Sequence, residues 1–237
     1  MKILFLILIA FNALFATTDL NIQKTTIFDI SDETAKINIP NLTVGQSGII
    51  TKDIEENSII LTQASVINSD NNNSTISFSQ MPLIIQEALP TSKREPQNGD
   101  TFILNHLYNT SLLLVPNNKA KNEVLNLFPF QNFLNEDFFA SFLKLNNTPI
   151  PTQEDISSFA LTHQMGTIFI VVQNNLYIVD SLSFKIIDTV EIRNEDTTTQ
   201  VPFLTKIEKI ETSMFDFGEE KIKDYNNYYL QLLKVIK

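Results

Sequence analysis

Residues 167–179 read TIFIVVQNNLYIV, two apolar and largely β-branched runs on either side of a Gln-Asn-Asn turn. Runs of this composition, bounded by polar turn residues, are typical of a β-hairpin. Residues 180–183, Asp-Ser-Leu-Ser, predict a further turn into a strand over 184–192. Earlier in the chain, strands are predicted at 101–107 and 111–115, on either side of a short turn. The back half of the chain therefore supplies several strands.

Helical patterns alternate with these strands. Residues 116–118 (PNN) offer a cap for a helix over 119–127. Asn135 can cap a helix over 136–145, whose apolar residues recur at helical spacing. Thr152 and Asp155 approximate a capping box that opens a third helix, and Gly166 is predicted to end it. The predicted helices cover residues 119–127, 136–145, about 152–164 and about 219–237. We therefore expect an α+β domain with a mixed sheet and about four helices.

The front half of the chain has a different pattern. Between about residues 20 and 90, short alternating segments are separated by polar turns. Such spacing predicts a small β-barrel or a rolled antiparallel sheet. Residues 89–100 are polar, contain two prolines and form the best candidate for a linker. The predicted organisation is a signal peptide at 1–16, a β-rich domain at 17–90 and an α+β domain at 91–237.

The first sixteen residues have the composition of a secretory signal peptide. Lys2 supplies a positive charge, residues 3–11 are almost entirely apolar, and Ala16 is a small residue suited to cleavage. The alternative is an uncleaved anchor at a membrane surface. Because the apolar run is too short to cross a bilayer comfortably, we expect no membrane span in the mature chain. The expected destination is the periplasm, the outer membrane or the cell surface.

The composition argues against nucleic-acid binding, metal binding and catalysis. The chain has 17 basic and 27 acidic residues, a net charge of −10, which disfavours nucleic acid as a partner. It has no cysteine, and its two histidines, His106 and His163, are interpreted as structural. No cofactor, metal site or catalytic residue is predicted, and the protein is not expected to be an enzyme. A carboxylate-based hydrolase is a distant alternative, with Asp137, Glu154, Asp155, Asp216, Glu219 and Glu220 as its candidate acids.

Two short motifs invite functional interpretations. Residues 44–48, VGQSG, resemble a nucleophile elbow only superficially, because a strand and not a helix follows them. Gly45 and Gly48 are instead predicted to take positive φ at a tight entry to a strand. Residues 70–74, DNNNS, fit an acceptor sequence for bacterial glycosylation centred on Asn72 at a hairpin tip. The alternative for that stretch is an unmodified turn.

Several stretches, in this order, resemble one known family, that of the plasminogen-binding protein PgbA N-terminal domain. The resemblance extends over about residues 20–235. It rests on residues 44–48 (VGQSG), 88–90 (ALP), 98–100 (NGD), 115–117 (VPN), 151–155 (PTQED), 176–181 (LYIVDS), 183–185 (SFK) and 223–229 (KDYNNYY). It implies a secreted envelope or surface protein engaged in host interaction, with host plasminogen as the partner.

The resemblance also implies a binding mechanism. The kringle modules of plasminogen accept lysine side chains, and they accept best a lysine that also carries a free carboxylate. Lys237 offers that chemistry at the end of the sequence, with Lys234 close to it. The alternative is a non-catalytic envelope scaffold that docks another envelope protein or a sugar polymer, with plasminogen incidental.

Overall fold

The computed structural model describes residues 18–55, 57–79, 94–194, 196–207 and 222–236. The predicted signal peptide and Lys237 lie outside the described residues, as do Asp216, Glu219 and Glu220. The architecture is α+β, as predicted, with a closed barrel, a separate five-stranded mixed sheet and four helices among the described residues.

The barrel is built from six antiparallel strands. Hydrogen-bonded neighbours follow the order β1-β2-β5-β4-β3-β6 around the closed sheet. The strands are β1 (Gln23–Ser31), β2 (Thr34–Ile37), β3 (Ser47–Ile54), β4 (Asn57–Ser69), β5 (Ser74–Ser79) and β6 (Thr101–Leu104). Closure leaves no free sheet edge, so it satisfies the backbone groups that an open sheet would expose. The predicted barrel is confirmed.

Alternation along the strands fills the barrel. Successive side chains of a strand point to opposite faces, so every second residue enters the interior. On β2, Ala35 and Ile37 are buried, whereas Thr34 and Lys36 between them are partly exposed. The buried interior consists of Ile27, Ala35, Ile37, Ile50, Ala64, Val66, Ile76, Phe102 and Leu104. Small and branched side chains suit this narrow interior.

The sixth barrel strand comes from an unexpected place. β6 pairs with β1 and with β3, although it follows the polar segment predicted as a linker. The barrel thus takes a strand from beyond residue 90. The next strand, β7 (Thr110–Leu114), joins the other sheet. The predicted strand over 101–107 is too long because Asn105 and Leu107 take positive φ and turn the chain between the two sheets.

The second sheet is mixed and has the order β11-β10-β9-β7-β8. Strand β7 pairs in parallel with β8 and with β9, whereas β9, β10 and β11 are antiparallel neighbours. The strands after β7 are β8 (Asn132–Leu134), β9 (Thr167–Val172), β10 (Asn175–Asp180) and β11 (Ile186–Glu191). The hairpin predicted from residues 167–179 is confirmed, whereas β8 was not predicted.

Three of the helices match the caps predicted for them. Asn117, Asn135 and Thr152 each accept a hydrogen bond from a backbone N–H of the following first turn. Asp155 completes the capping box with Thr152. The helices are α1 (Asn118–Leu127), α2 (Glu136–Leu145) and α3 (Gln153–Thr162). Capping residues therefore located these helix starts correctly.

The predicted end of α3 is wrong. Gln164 takes the left-handed conformation there, with φ 57°, and Gly166 lies immediately before the next strand, which begins at Thr167. A Cβ atom on Gly166 would lie 2.6 Å from the carbonyl carbon of Leu107. The glycine is therefore required for close packing against the turn before β7, and not for helix termination.

The last helix is shorter than predicted. α4 (Tyr225–Leu232) begins after Asp224, whose side chain accepts a hydrogen bond from the Asn227 N–H. Residues 222–224 are not helical, and residues 233–236 have left the helix. The prediction of a helix from about 219 to 237 overlooked Asp224, a good capping residue.

Strands β9 and β10 lie at the centre of the packing around the five-stranded sheet. All six residues of β9 are buried, so the strand has no solvated face. One face of the sheet packs against α2, α3 and α4 through Phe139, Phe159 and Tyr229, and the other packs against α1 through Val124. A continuous apolar run is what a strand covered on both faces requires.

Candidate functional site

A buried carboxylate joins the barrel to the second sheet at the end of β10. Asp180 is fully buried, and its Oδ2 accepts hydrogen bonds from Ser47 Oγ at 2.5 Å and Tyr108 OH at 2.6 Å. Its Oδ1 accepts from the backbone N–H groups of Leu182 at 3.0 Å and Ser183 at 2.6 Å. Burial raises the pKa of the Asp180 carboxyl, although these hydrogen bonds act in the opposite direction. The carboxylate links β3, the turn before β7 and the turn after β10.

Tyr108 completes this junction. Its hydroxyl donates to Asp180 and accepts from the backbone N–H of Ser47 at 3.0 Å. Burial, together with the nearby Asp180 carboxylate, raises the pKa of Tyr108 well above its usual value. The phenol therefore stays protonated and acts as a fixed donor. Ser47, Tyr108 and Asp180 hold the fold together, and none of the three faces solvent.

The VGQSG motif proves to be part of the same junction. Gly45 has φ +108°, which confirms the prediction for this residue. A Cβ atom on Gly45 would lie 2.6 Å from the Cβ of Lys185, so the lysine stem lies directly over the glycine. Gly48 does not take positive φ, so its prediction is wrong. Gly48 is instead needed because a Cβ there would lie 2.2 Å from the Ile103 carbonyl oxygen.

The turn after β10 is held from several sides. The carbonyl oxygen of Lys185 accepts from the Asp180 N–H at 3.0 Å, and the Ser183 hydroxyl donates to the Gly45 carbonyl at 2.8 Å. The N–H of Ser181 donates to the carbonyl of Gly166 at 3.0 Å. These bonds fix the backbone that presents Lys185, whose side chain is exposed.

Helix α4 is attached to strand β9 and to two loops by its tyrosines. Tyr225 OH donates to the Val171 carbonyl at 2.9 Å, and Tyr229 OH donates to the Pro202 carbonyl at 2.9 Å. Tyr228 OH donates to the Pro151 carbonyl at 2.5 Å, and burial, with the nearby Asp155, raises the pKa of Tyr228 to about 12. All three phenols are therefore protonated at neutral pH. The motif KDYNNYY thus supplies a cap and three anchors for α4.

An open cleft lies where the end of α4 meets the turn after β10. Its volume is about 420 Å3. Gln153 at the start of α3 donates to the Leu232 carbonyl at 2.5 Å and so ties two walls of the cleft together. The lining residues are Val44, Gln153, Ser183, Phe184, Lys185, Ile186, Leu233 and Lys234. This cleft carries two lysines and no acidic side chain, and it is the candidate functional site.

Lys234, one of the two lysines predicted to bind a partner, is exposed on this cleft. It follows α4 with φ 57°, and its N–H donates to the Gln231 carbonyl at 2.9 Å. Neither Lys234 nor Lys185 forms an ion pair with any residue that the structure describes. Lys185 was not predicted as a binding residue, although the motif SFK contains it. Lys237, the other predicted lysine, lies outside the described residues.

Asn72 is exposed at the tip between β4 and β5, as the hairpin prediction implied. Its neighbours, however, are engaged within the fold. Asp70 Oδ1 accepts from the N–H groups of Asn72 and Asn73, at 2.7 Å and 2.9 Å. Ser74 is buried on β5 and donates to the Ile39 carbonyl at 2.5 Å. A modifying enzyme could therefore reach the Asn72 side chain in the folded protein but not the Ser74 hydroxyl.

The remaining candidates have structural surroundings. The rings of His163 and Phe159 are in contact at a tilt of 34°, with centroids 4.2 Å apart, and burial lowers the pKa of His106. Asp137 accepts from Thr205 Oγ1 at 2.6 Å and from the Lys206 N–H at 2.8 Å. Within the described ranges, no group of three metal-ligating side chains occurs and no helix is long and apolar enough to cross a membrane.

Comparisons with known proteins agree on one family. The model of the family described as "Plasminogen-binding protein pgbA N-terminal" matches residues 22–233. Two curated relatives named Plasminogen-binding protein PgbA, from Helicobacter pylori strains J99 and 26695, are each 24% identical over 197 residues. The match covers 82% of this chain and 43% of each relative, so the chain spans less than half of their length. No solved structure matches the chain.

Fold and site together define an α+β protein in which a barrel and a mixed sheet are joined by buried hydrogen bonds beside a lysine-bearing cleft. The chain belongs to the family of the plasminogen-binding protein PgbA N-terminal domain, because the family match extends over nearly all of it. The resemblance predicted from short motifs is thereby confirmed.

Proposed function

We propose that this protein is an exported envelope or surface protein that binds plasminogen through exposed lysines near the end of α4. Family membership and the names of the curated relatives support the partner. The observation that carries the proposal is the exposed Lys234, which no ion pair occupies within the described part of the chain. Lys237 is proposed as a second determinant, three residues further on.

The proposed mechanism is insertion of a lysine ammonium into a kringle cleft. The backbone after α4 holds Lys234 in a defined turn, so little main-chain freedom is lost on binding. The attached phenols of Tyr225, Tyr228 and Tyr229 keep that turn at the protein surface. No catalytic step is part of this mechanism, and a non-enzymatic role is therefore proposed.

Surface plasmon resonance on immobilised plasminogen tests this function. Residues 17–237 bind in the proposed mechanism, and the lysine analogue 6-aminohexanoate competes for that binding. Lys234→Ala and Lys237→Ala each reduce affinity, and the double variant reduces it further. Binding that 6-aminohexanoate leaves unchanged contradicts a lysine-dependent mechanism, as does equal binding by the double variant.

A second function, that of a non-catalytic envelope scaffold, is favoured by exposed apolar side chains. Phe130 is 95% exposed and Leu145 is 83% exposed, so each presents a large apolar side chain to a protein partner. A Phe130→Ser/Leu145→Ser variant separates the two functions. Loss of co-purifying envelope protein with unchanged plasminogen affinity supports the scaffold, and unchanged co-purification counts against it.

Glycosylation of Asn72 is retained as a proposal. Because Ser74 is buried, the acceptor sequence must be read before β5 joins the barrel. The intact mass of the secreted protein, compared with that of Asn72→Gln, tests the modification. The absence of any mass increment over the polypeptide in the native host rejects it.

A further inference from the structure

The turn after β10 presents Lys185, a lysine that was not among the predicted binding residues. Lys185 lines the same cleft as Lys234, although the two residues are 49 positions apart in the chain. Both side chains are exposed. Two exposed lysines from separate elements therefore line one cleft, on a protein whose net charge is −10.

We propose that Lys185 and Lys234 form one paired-lysine determinant that engages the lysine-binding site of the partner, independently of where the chain ends. The inference rests on the proposed function and adds Lys185 to it. Lys234 inserts its ammonium, and Lys185 contacts the acidic rim around the partner's cleft.

The backbone around Lys185 supports this role. The Asp180 carboxylate fixes the turn by accepting hydrogen bonds from the Leu182 and Ser183 N–H groups. The carbonyl of Lys185 accepts a hydrogen bond from the Asp180 N–H. A lysine on a loop usually loses substantial freedom on binding, so a fixed turn reduces that cost. The turn is thus preorganised by the buried junction behind it.

The stem of Lys185 is held as well. Its Cβ would lie 2.6 Å, and its Cδ 3.1 Å, from a Cβ built on Gly45, so the aliphatic stem covers the glycine backbone. Lysine commonly buries its stem in this way and keeps its ammonium in water. The absence of a side chain at Gly45 therefore sets the position of the charge.

Charge complementarity supports the partner's chemistry. An acidic receptor cleft is repelled by a protein that is negative overall, unless a local positive patch faces it. None of the described residues that line the cleft is acidic, and the lining includes both lysines. The apolar side chains of Val44, Phe184 and Leu233 line the same cleft and suit the aromatic lining of a lysine-binding site.

The experiment compares charge-removing variants of residues 17–237 on immobilised plasminogen. Lys185→Gln retains much of the stem, and Lys144→Gln removes an exposed lysine at the end of α2, outside the cleft. Lys185→Gln is expected to weaken binding about fivefold to tenfold and to flatten the dependence of the on-rate on salt. Lys144→Gln is expected to bind like the unaltered protein, although it changes the net charge equally.

The possible results distinguish the paired-lysine determinant from plasminogen binding in general. If Lys234→Ala weakens binding whereas Lys185→Gln and Lys144→Gln are equivalent, the paired determinant is overturned and plasminogen binding stands. If the unaltered protein does not bind plasminogen, or if 6-aminohexanoate does not reduce its binding, both proposals fail. Weakening by Lys185→Gln, with an unchanged melting temperature, supports the pair.

Discussion

The turn at residues 181–185 separates a buried charged group from exposed charged groups. On the inner side, the Asp180 carboxylate is fully buried and accepts four hydrogen bonds from three parts of the chain. On the outer side, the Lys185 and Lys234 ammonium groups are exposed, without ion pairs among the described residues. The buried carboxylate therefore maintains the architecture, whereas the exposed lysines remain available to a partner.

Removal of the buried carboxylate should have the largest effect. Asp180→Ala leaves the hydroxyls of Ser47 and Tyr108 and two backbone N–H groups without their acceptor. We expect a loss of about 3–5 kcal/mol in the free energy of unfolding, measured by urea denaturation. Asp53→Ala, at an exposed position on β3, is the control and should cost less than about 1 kcal/mol. Equal losses in both variants would show that the junction does not stabilise the fold.

A side chain at Gly45 should disturb both sides of the turn. Gly45→Ala places a Cβ against the Lys185 stem and strains a residue with φ +108°, so we expect a loss of about 2–4 kcal/mol. Gly99→Ala is the matched control, because Gly99 has φ +94° but nothing within 4 Å of an added Cβ. The excess loss in Gly45→Ala over Gly99→Ala measures the contact with Lys185. No excess would contradict the close approach.

The pH dependence of stability tests the burial of Asp180. Since the folded-state pKa of Asp180 is raised, the folded protein holds this proton more tightly than the unfolded chain. The free energy of unfolding should therefore fall as pH rises from the unfolded pKa of about 3.9 to the folded pKa. The loss is about 1.4 kcal/mol for each unit by which the two values differ. Asp180→Asn should lack this component when the two proteins are denatured at a series of pH values. Parallel pH profiles would argue against a raised pKa.

The anchors of α4 should have smaller individual effects. Tyr225→Phe removes the hydroxyl that donates to the Val171 carbonyl, and we expect a loss of about 1 kcal/mol in thermal or urea unfolding. Tyr177→Phe is the control, since no described residue hydrogen-bonds to the Tyr177 hydroxyl. A neutral Tyr225→Phe would show that apolar packing alone holds the helix.

The exposed lysines should contribute least to stability. Lys185→Gln and Lys234→Ala are each expected to change the free energy of unfolding by less than about 0.5 kcal/mol, because neither ammonium has an ion-pair partner within the described ranges. Circular dichroism melting curves measure this. A loss above about 1 kcal/mol in the free energy of unfolding would show that these lysines stabilise the fold, as the residues of the buried junction do.

Individual residues show which features of this structure could be predicted from the sequence. Asn117, Asn135 and Thr152 marked three helix starts because capping depends on residues within one turn of one another. Asp224 is the same kind of capping residue for α4, and the predicted start near residue 219 overlooked it. The candidate site was predicted only in part, since Lys234 was named and Lys185 was not.

Features that depend on near neighbours could be predicted from the sequence: the alternation of the barrel strands, the hairpin at residues 167–179 and three helix caps. The order of short motifs along the chain was sufficient to predict the family. The sheet that contains β6, the parallel pairing of β7 with β8 and β9, and the burial of particular charges became known only from the three-dimensional structure. Ser47 and Asp180 are 133 residues apart, and Lys185 and Lys234 are 49 residues apart. Contacts over such separations arise from sheet closure and packing, which no local periodicity encodes.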